Sequence, residues 1–259
     1  MSQRKSAVRR PPGRQAKRGV LGFFRLILTL ALCVEVLVAI WRSPALCIRD
    51  VYVEGIALTS PQQIVQEAHI GDGRSWLFFM PARVAQRIQQ LPTVADVVVA
   101  RSLPGRVTIR VFERQPVALL ATPAGSYWLD AQGVAFWKTE RTNGLPVIRM
   151  ETSVPVVLGH IVRNRSVQAG LEILIRYLPE YPLPIAQITV DREGNLCLNM
   201  KDGHPPVRIG DSTSLSDKMM RTAQLWMHPE IVKQAEYLDV SCVEKPVWKR
   251  RQGGKGGIL

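Results

Sequence analysis

The longest apolar run in the chain is Val20–Trp41, VLGFFRLILTLALCVEVLVAIW, interrupted by two charges, Arg25 and Glu35. Wound as a helix it spans roughly 33 Å, close to the thickness of a bilayer's hydrocarbon core. After it the pattern becomes short and alternating. Ser43-Pro44 breaks the helix. Residues 46–54, LCIRDVYVE, space Ile48, Val51 and Val53 as a strand does, and Gly55 ends the run. Ser60-Pro61-Gln62-Gln63 reads as a helix start: Ser as N-cap, Pro at the first helical position, Gln three residues after the cap. Ile64, Val65 and Ala68 form its apolar face, and Gly71 and Gly73 stop it. Trp76-Leu77-Phe78-Phe79 is an apolar knot suited to plugging a core. Pro81 opens a second helix with Val84, Ile88 and Leu91 at i, i+4 and i+7, and Pro92 terminates it. Two strands follow, Ala95–Arg101 and Arg106–Arg114. In the second, Val107, Ile109 and Val111 face one way while Thr108, Arg110 and Phe112 face the other. Strand, helix, helix, strand, strand makes a small sheet with two helices on one face.

From Pro116 the texture changes to short β-like runs: Val117–Ala121, Tyr127–Leu129, Val134–Trp137, Val147–Ile148 and Val156–Leu158. Turn chemistry separates them, as at Asp130-Ala131-Gln132-Gly133 and Asn143-Gly144. A helix is expected over Val167–Leu178, with Leu171, Leu174 and Leu178 on one side. Ile185–Val190 and Leu196–Met200 form a hairpin around Asp191–Asn195, and Val207–Ile209 is a further strand. A second helix is expected over Ser216–Met227, burying Met219, Met220, Ala223 and Trp226. Strands at Ala235–Cys242 and Pro246–Arg250 close the pattern, and a Gly-rich end frays.

Charge changes this picture by giving the apolar helix a direction. Residues 1–18 carry Arg4, Lys5, Arg9, Arg10, Arg14, Lys17 and Arg18 and no acidic residue. That bias predicts a cytoplasmic amino end and export of everything after Trp41. The leader lacks the large apolar residues of a core and is expected to be disordered. The apolar run is longer than a signal peptide's core, so it reads as an uncleaved anchor. Of the net charge of +13, seven positives lie in this leader. Topology accounts for them, so the balance does not argue for nucleic acid. Glu35 is open to two readings: a contact with a partner membrane helix, or a protonated or snorkelling carboxylate tolerated by an otherwise apolar span.

The chemistry of catalysis is missing from the pattern. His69, His160, His204 and His228 are far apart and follow no ligand spacing, and no G-x-S-x-G, H-E-x-x-H or phosphate loop is present. No cofactor or metal is expected. Cys33 falls in the lipid, and Cys33, Cys47, Cys197 and Cys242 make no zinc spacing. In an oxidising compartment Cys197 and Cys242 are open to pairing, and two buried free thiols are the other reading.

Several ordered elements resemble a known family. Ile48–Val53 with Gly55 comes first, then Gln89-Gln90-Leu91-Pro92-Thr93-Val94 and Leu103-Pro104-Gly105-Arg106-Val107. Next come Val111-Phe112-Glu113-Arg114-Gln115-Pro116-Val117-Ala118, Tyr127–Phe136, Leu145-Pro146-Val147-Ile148 and Tyr237-Leu238-Asp239-Val240. Together, behind a basic tail and one anchor, they resemble FtsQ/DivIB, the bacterial cell-division proteins. The resemblance covers residues 20–250 and implies an α+β chain. Residues 1–19 are the cytoplasmic basic tail, 20–41 the transmembrane helix, 46–115 a POTRA-like β-α-α-β-β domain. Residues 116–250 are the family's β domain with two helices, and 251–259 a disordered tail.

The resemblance further implies a single-pass inner-membrane protein with its bulk outside the cytoplasm at the division septum. Its role there is a scaffold that binds FtsB/DivIC- and FtsL-like partners and helps control septal peptidoglycan synthesis. The family's partner surface lies on the last strands. A terminal edge strand offers unpaired backbone groups to a partner strand. The contact residues expected here are Val240, Cys242, Val247 and Trp248, with Lys249 steering acidic groups. Cys242 stands where an aromatic residue is common in the family. The alternative is that Trp248 packs on its own domain and the lysines solubilise an edge. The POTRA-like part is a second candidate surface for other division proteins, or else a rigid spacer. Two other classes compete with the scaffold. An anchored cell-wall hydrolase needs a clustered acid/base or metal set, and a POTRA-bearing export component normally brings a barrel or further spans.

Overall fold

The computed structural model describes residues 16–41, 47–70, 79–103 and 105–251. The basic leader to Gln15, Ser43-Pro44, Gly71 and Gly73, Trp76–Phe78 and the tail after Arg251 lie outside the described residues. The described residues cluster into two compact units. One takes the chain up to Tyr52 with Ile70–Pro81 and Ala100–Thr108, the other Val53–His69, Ala82–Val99 and Ile109 onward.

In the first unit, α1 (Ala16–Trp41) begins four residues before the apolar run. It is the one helix among the described residues long and apolar enough to cross a membrane. Thr29 needs no partner on another helix, because its hydroxyl donates back to the carbonyls of Arg25 and Leu26. In the same unit the Arg106 guanidinium lies 5.0 Å over the Tyr52 ring.

The strand-helix-helix-strand-strand order is present as β1 (Asp50–Glu54), α2 (Pro61–Ala68), α3 (Pro81–Ile88), β2 (Val94–Ser102) and β3 (Arg106–Glu113). The sheet order is β1-β3-β2. Ser60 caps α2 as its sequence predicts, accepting from the Gln63 N–H. His69, in a left-handed conformation, ends the helix before the glycines expected to do so. Ile64, Ala68, Val84, Ile88, Ile109 and Val111 are buried, whereas Val65 is at the surface. Gly55 has φ +82°, and a Cβ there would land on the Val111 carbonyl oxygen. The turn out of β1 therefore needs glycine.

The larger sheet has ten strands among the described residues. They are β4 (Ala118–Thr122), β5 (Gly125–Leu129), β6 (Val134–Lys138), β7 (Val147–Met150), β8 (His160–Ile161), β9 (Ile185–Val190), β10 (Leu196–Met200), β11 (Val207–Gly210), β12 (Ala235–Asp239) and β13 (Val247–Arg250). Their order is β13-β12-β11-β10-β9-β7-β4-β5-β6-β8. Contacts β4/β7, β7/β9 and β11/β12 are parallel and the rest antiparallel. Alternation puts Ile148, Ile188, Leu198, Val207 and Leu238 on one face. There they join Val167, Leu171, Ile173 and Met219 in a single core.

The covering helices are α4 (Arg165–Glu172), a π-helical turn at Ile173–Tyr177, α5 (Leu178–Glu180), α6 (Leu215–Trp226) and α7 (Pro229–Gln234). Asn164 caps α4 through the Ser166 and Val167 N–H groups. On α6 the buried residues are Leu215, Lys218, Met219 and Thr222, and Met220 is exposed. This corrects the expected face. Lys218 turns inward because its ammonium is held by Asp211, through the carboxylate at 2.7 Å and the carbonyl at 2.9 Å. α7 is an element the sequence pattern missed, although Pro229 at its start was the available signal. No strand forms at Val156–Leu158. Gly159, with φ +82°, turns the chain, so pairing to β6 begins at Gly159 and His160 instead.

The Glu113-Arg114 dipeptide, where β3 ends, has both of its charges engaged. Glu113 accepts from the backbone N–H groups of Ala57, Leu58 and Thr59. Arg114 donates to the Pro92 carbonyl and to Asp130. Asp130 in turn accepts from the Gln132 and Val134 N–H groups, which fixes the β5–β6 turn.

Candidate partner-binding edge

β12 and β13 end the ten-stranded sheet. β12 is locked to β11 by Leu238 N–H donating to Pro206 O and Val240 N–H donating to Arg208 O at 2.9 Å. It stops at Asp239, shorter than expected, because the Asp239 carboxylate accepts from both the N–H and the hydroxyl of Ser241. That local turn competes with the ladder. β13 returns antiparallel, setting Trp248 opposite Leu238, Val247 opposite Asp239 and Lys249 opposite Tyr237.

This register sorts the expected contact residues. Val240 is fully buried. Two residues beyond Leu238, it falls on the same inward side and belongs to the core, which corrects its assignment to the surface. Cys242 is exposed but lies on the turn, not on a strand. Val247 is 62% exposed and Trp248 38%. Trp248 shares the face of Leu238, and Val247 projects from the opposite face. Lys249 pairs with Glu236 at 3.1 Å across the ladder, both side chains about half exposed. Such a pair contributes little stability. Glu35 is elsewhere, exposed on α1.

The strand's sequence pattern did not point to Arg208, which stacks 4.1 Å over the Tyr237 ring. That contact stiffens the face that Lys249 shares. The signal was available, since Arg208 alternates with the buried Val207 and Ile209. Cys197 and Cys242 are both free thiols. Burial raises the pKa of the Cys197 thiol, against the pull of Arg208. Among the described residues no group of three or more His, Cys, Asp or Glu is placed to hold a metal ion. What the edge offers is backbone hydrogen bonding beside an indole, a valine and the cations Lys249, Arg250 and Arg251, all at the surface.

Residues 46–114 match the model of the FtsQ-type POTRA domain, and residues 118–241 that of the C-terminal part of cell division protein FtsQ/DivIB. Together they span about three quarters of the chain. The chain belongs to the FtsQ/DivIB family. Relatives within FtsQ/DivIB agree over most of the length. The cell division protein FtsQ of Mycobacterium tuberculosis is 24% identical over 242 residues, 92% of this chain and 73% of that protein. The FtsQ of Mycobacterium leprae is 23% identical over 93% of this chain and 67% of its own length. The cell division protein DivIB of Brevibacillus brevis is 26% identical over 85% and 80%. The FtsQ/DivIB match ends at residue 241, so β13, with Val247 and Trp248, lies beyond the matched residues.

Proposed function

We propose that this member of the cell-division family is a non-enzymatic, single-pass scaffold that holds an FtsB/DivIC- or FtsL-type partner by adding one of its strands to β13. The observation that carries this reading is the position of β13. It ends the sheet, pairs on its β12 side, and presents Val247, Trp248, Lys249 and Arg250 at the surface. A partner strand completes the ladder there. Trp248 and Val247 give it apolar anchors on opposite faces, and the flanking cations attract acidic residues and speed encounter. Val240 has no part in the contact.

The arginine-rich leader and the apolar α1 support an inner-membrane location. In that topology the amino end is cytoplasmic and residues 46–115 and 116–250 are exported as two modules at the septum. Control of septal peptidoglycan synthesis then follows from assembling partners, not from chemistry on this chain.

The test is calorimetric titration of the full chain in detergent micelles with the exported segment of an FtsB-type partner. Trp248→Ala or Val247→Glu weakens binding at least tenfold, about 1.4 kcal/mol, while circular dichroism stays unchanged. Undiminished affinity in both variants removes the site.

A further inference from the structure

We propose that the opposite end of the ten-stranded sheet, at β8, is a second docking edge. Its occupant is a short, extended, acidic segment of another protein with aliphatic residues at alternate positions. β8 pairs with β6 through Val134 opposite Ile161 and Ala135 opposite His160. Gly159 N–H donating to Ala135 O and Val162 N–H donating to Gly133 O complete the inner side. The outer side faces no strand among the described residues.

Three large aliphatic side chains lie exposed within five residues along this margin: Val157 at 62%, Leu158 at 39% and Ile161 at 53%. A surface built only for water disperses such groups. Val157 and Ile161 border a groove of about 710 Å³ whose walls also include Val134 and Pro155. Edge strands are usually blunted by charge or brevity. β8 is brief, and the turn at Gly159 limits any ladder to a few residues. That geometry suits a short segment and does not template a fibril.

Charge selects the occupant. The ionisable side chains lining the groove are Arg114, His160 and Arg163, with no Asp or Glu among them. Arg114 is engaged by Asp130, which leaves Arg163, exposed at the groove, to meet a carboxylate. A second copy of this chain is the wrong occupant. Its β13 edge carries Lys249 and Arg250, and its β8 groove carries Arg163, so either pairing sets like charges together. Ten strands at the usual spacing put the two edges about 43 Å apart along the sheet. One molecule therefore has room for a partner at each.

The test uses the full chain in detergent micelles and a fluorescein-labelled twelve-residue peptide of alternating Glu and Val, with alternating Lys and Val as control. The acidic peptide raises anisotropy and the basic one does not. Ile161→Glu weakens binding at least tenfold, Arg163→Glu about fivefold, and Val247→Glu leaves it unchanged. Amide exchange slows at residues 157–163. Absent binding, or equal binding by wild type and both β8 variants, overturns the proposal. So does loss with Val247→Glu in place of Ile161→Glu, which assigns the peptide to β13. A dimer seen by light scattering and dissociated by Ile161→Glu overturns it as well, making the edge a self-contact. Ile161 and Arg163 are exposed, so both variants keep the fold, and failure of binding at β8 leaves the proposed use of β13 by an FtsB-type partner standing.

Discussion

The two faces of the ten-stranded sheet are made by the same strands and behave as different materials. On the helix-covered face Ile148, Ile188, Leu198, Val207 and Leu238 are fully buried in one continuous aliphatic core. On the other face the neighbours are Arg149, Gln187, Thr189, Asn199 and Arg208, half-buried or exposed, with Asn199 donating to the Thr189 hydroxyl at 3.1 Å. Only toward β4, β5 and β6 does that second face become dry, where Leu119, Trp128 and Phe136 pack with Leu58, Leu145 and Val147. The difference teaches where each job sits. The covered face holds the fold, the polar face keeps the sheet in water, and the margins are where the two proposed docking edges lie.

The comparison breaks most directly at adjacent residues of β10. Leu198→Ala on the covered face is expected to lower stability by about 2–5 kcal/mol, the range for a cavity in a packed core. Asn199→Ala, one residue on and facing the other way, costs less than about 1 kcal/mol. Urea unfolding of the two variants measures both, and equal losses would abolish the distinction between the faces. Arg114→Ala comes next. It takes the paired cation from the nearly buried carboxylate of Asp130, leaving that charge to the Gln132 and Val134 N–H donors, at about 2–3 kcal/mol by the same unfolding measurement.

The smallest expected effect is acid sensitivity. The Lys218 ammonium and the Thr213 hydroxyl hold the Asp211 carboxyl down to about 2. Burial pushes Glu113 up, but the N–H donors of Leu58, Thr59 and Ala57 outweigh it and leave its pKa lowered. Both folded values lie below the unfolded ones. The stability they contribute is therefore present above the ordinary carboxylate range and lost as pH falls from about 4 toward 2. Melting temperature is expected to drop over that window, and Asp211→Asn to make the drop shallower.

Much of this fold was legible in the chain. Ser60-Pro61 announced α2 because capping chemistry is local, and Val107, Ile109 and Val111 announced the inward face of β3 because a strand's period is two. What failed was set by distant partners. Lys218 reads as a solvent residue until Asp211 is seen to hold its ammonium. Val156–Leu158 reads as a strand until Gly159 turns the chain away. At the β12–β13 edge the sequence located the terminal strand and its Trp248, yet put Val240 outside. The Val240 N–H bond to the Arg208 carbonyl and the residue's full burial show that it continues the inward row of Leu238.

The order of β13 in the chain carries a consequence for biogenesis. It follows the twelve other strands in sequence, and its only neighbour among the described residues, β12, is itself wedged against β11 after the α6–α7 crossover. Synthesis proceeds from the amino end, and earlier parts fold first. The last edge of the sheet therefore closes only after the strands before it are in place, and a partner that adds to β13 as proposed meets an already completed domain.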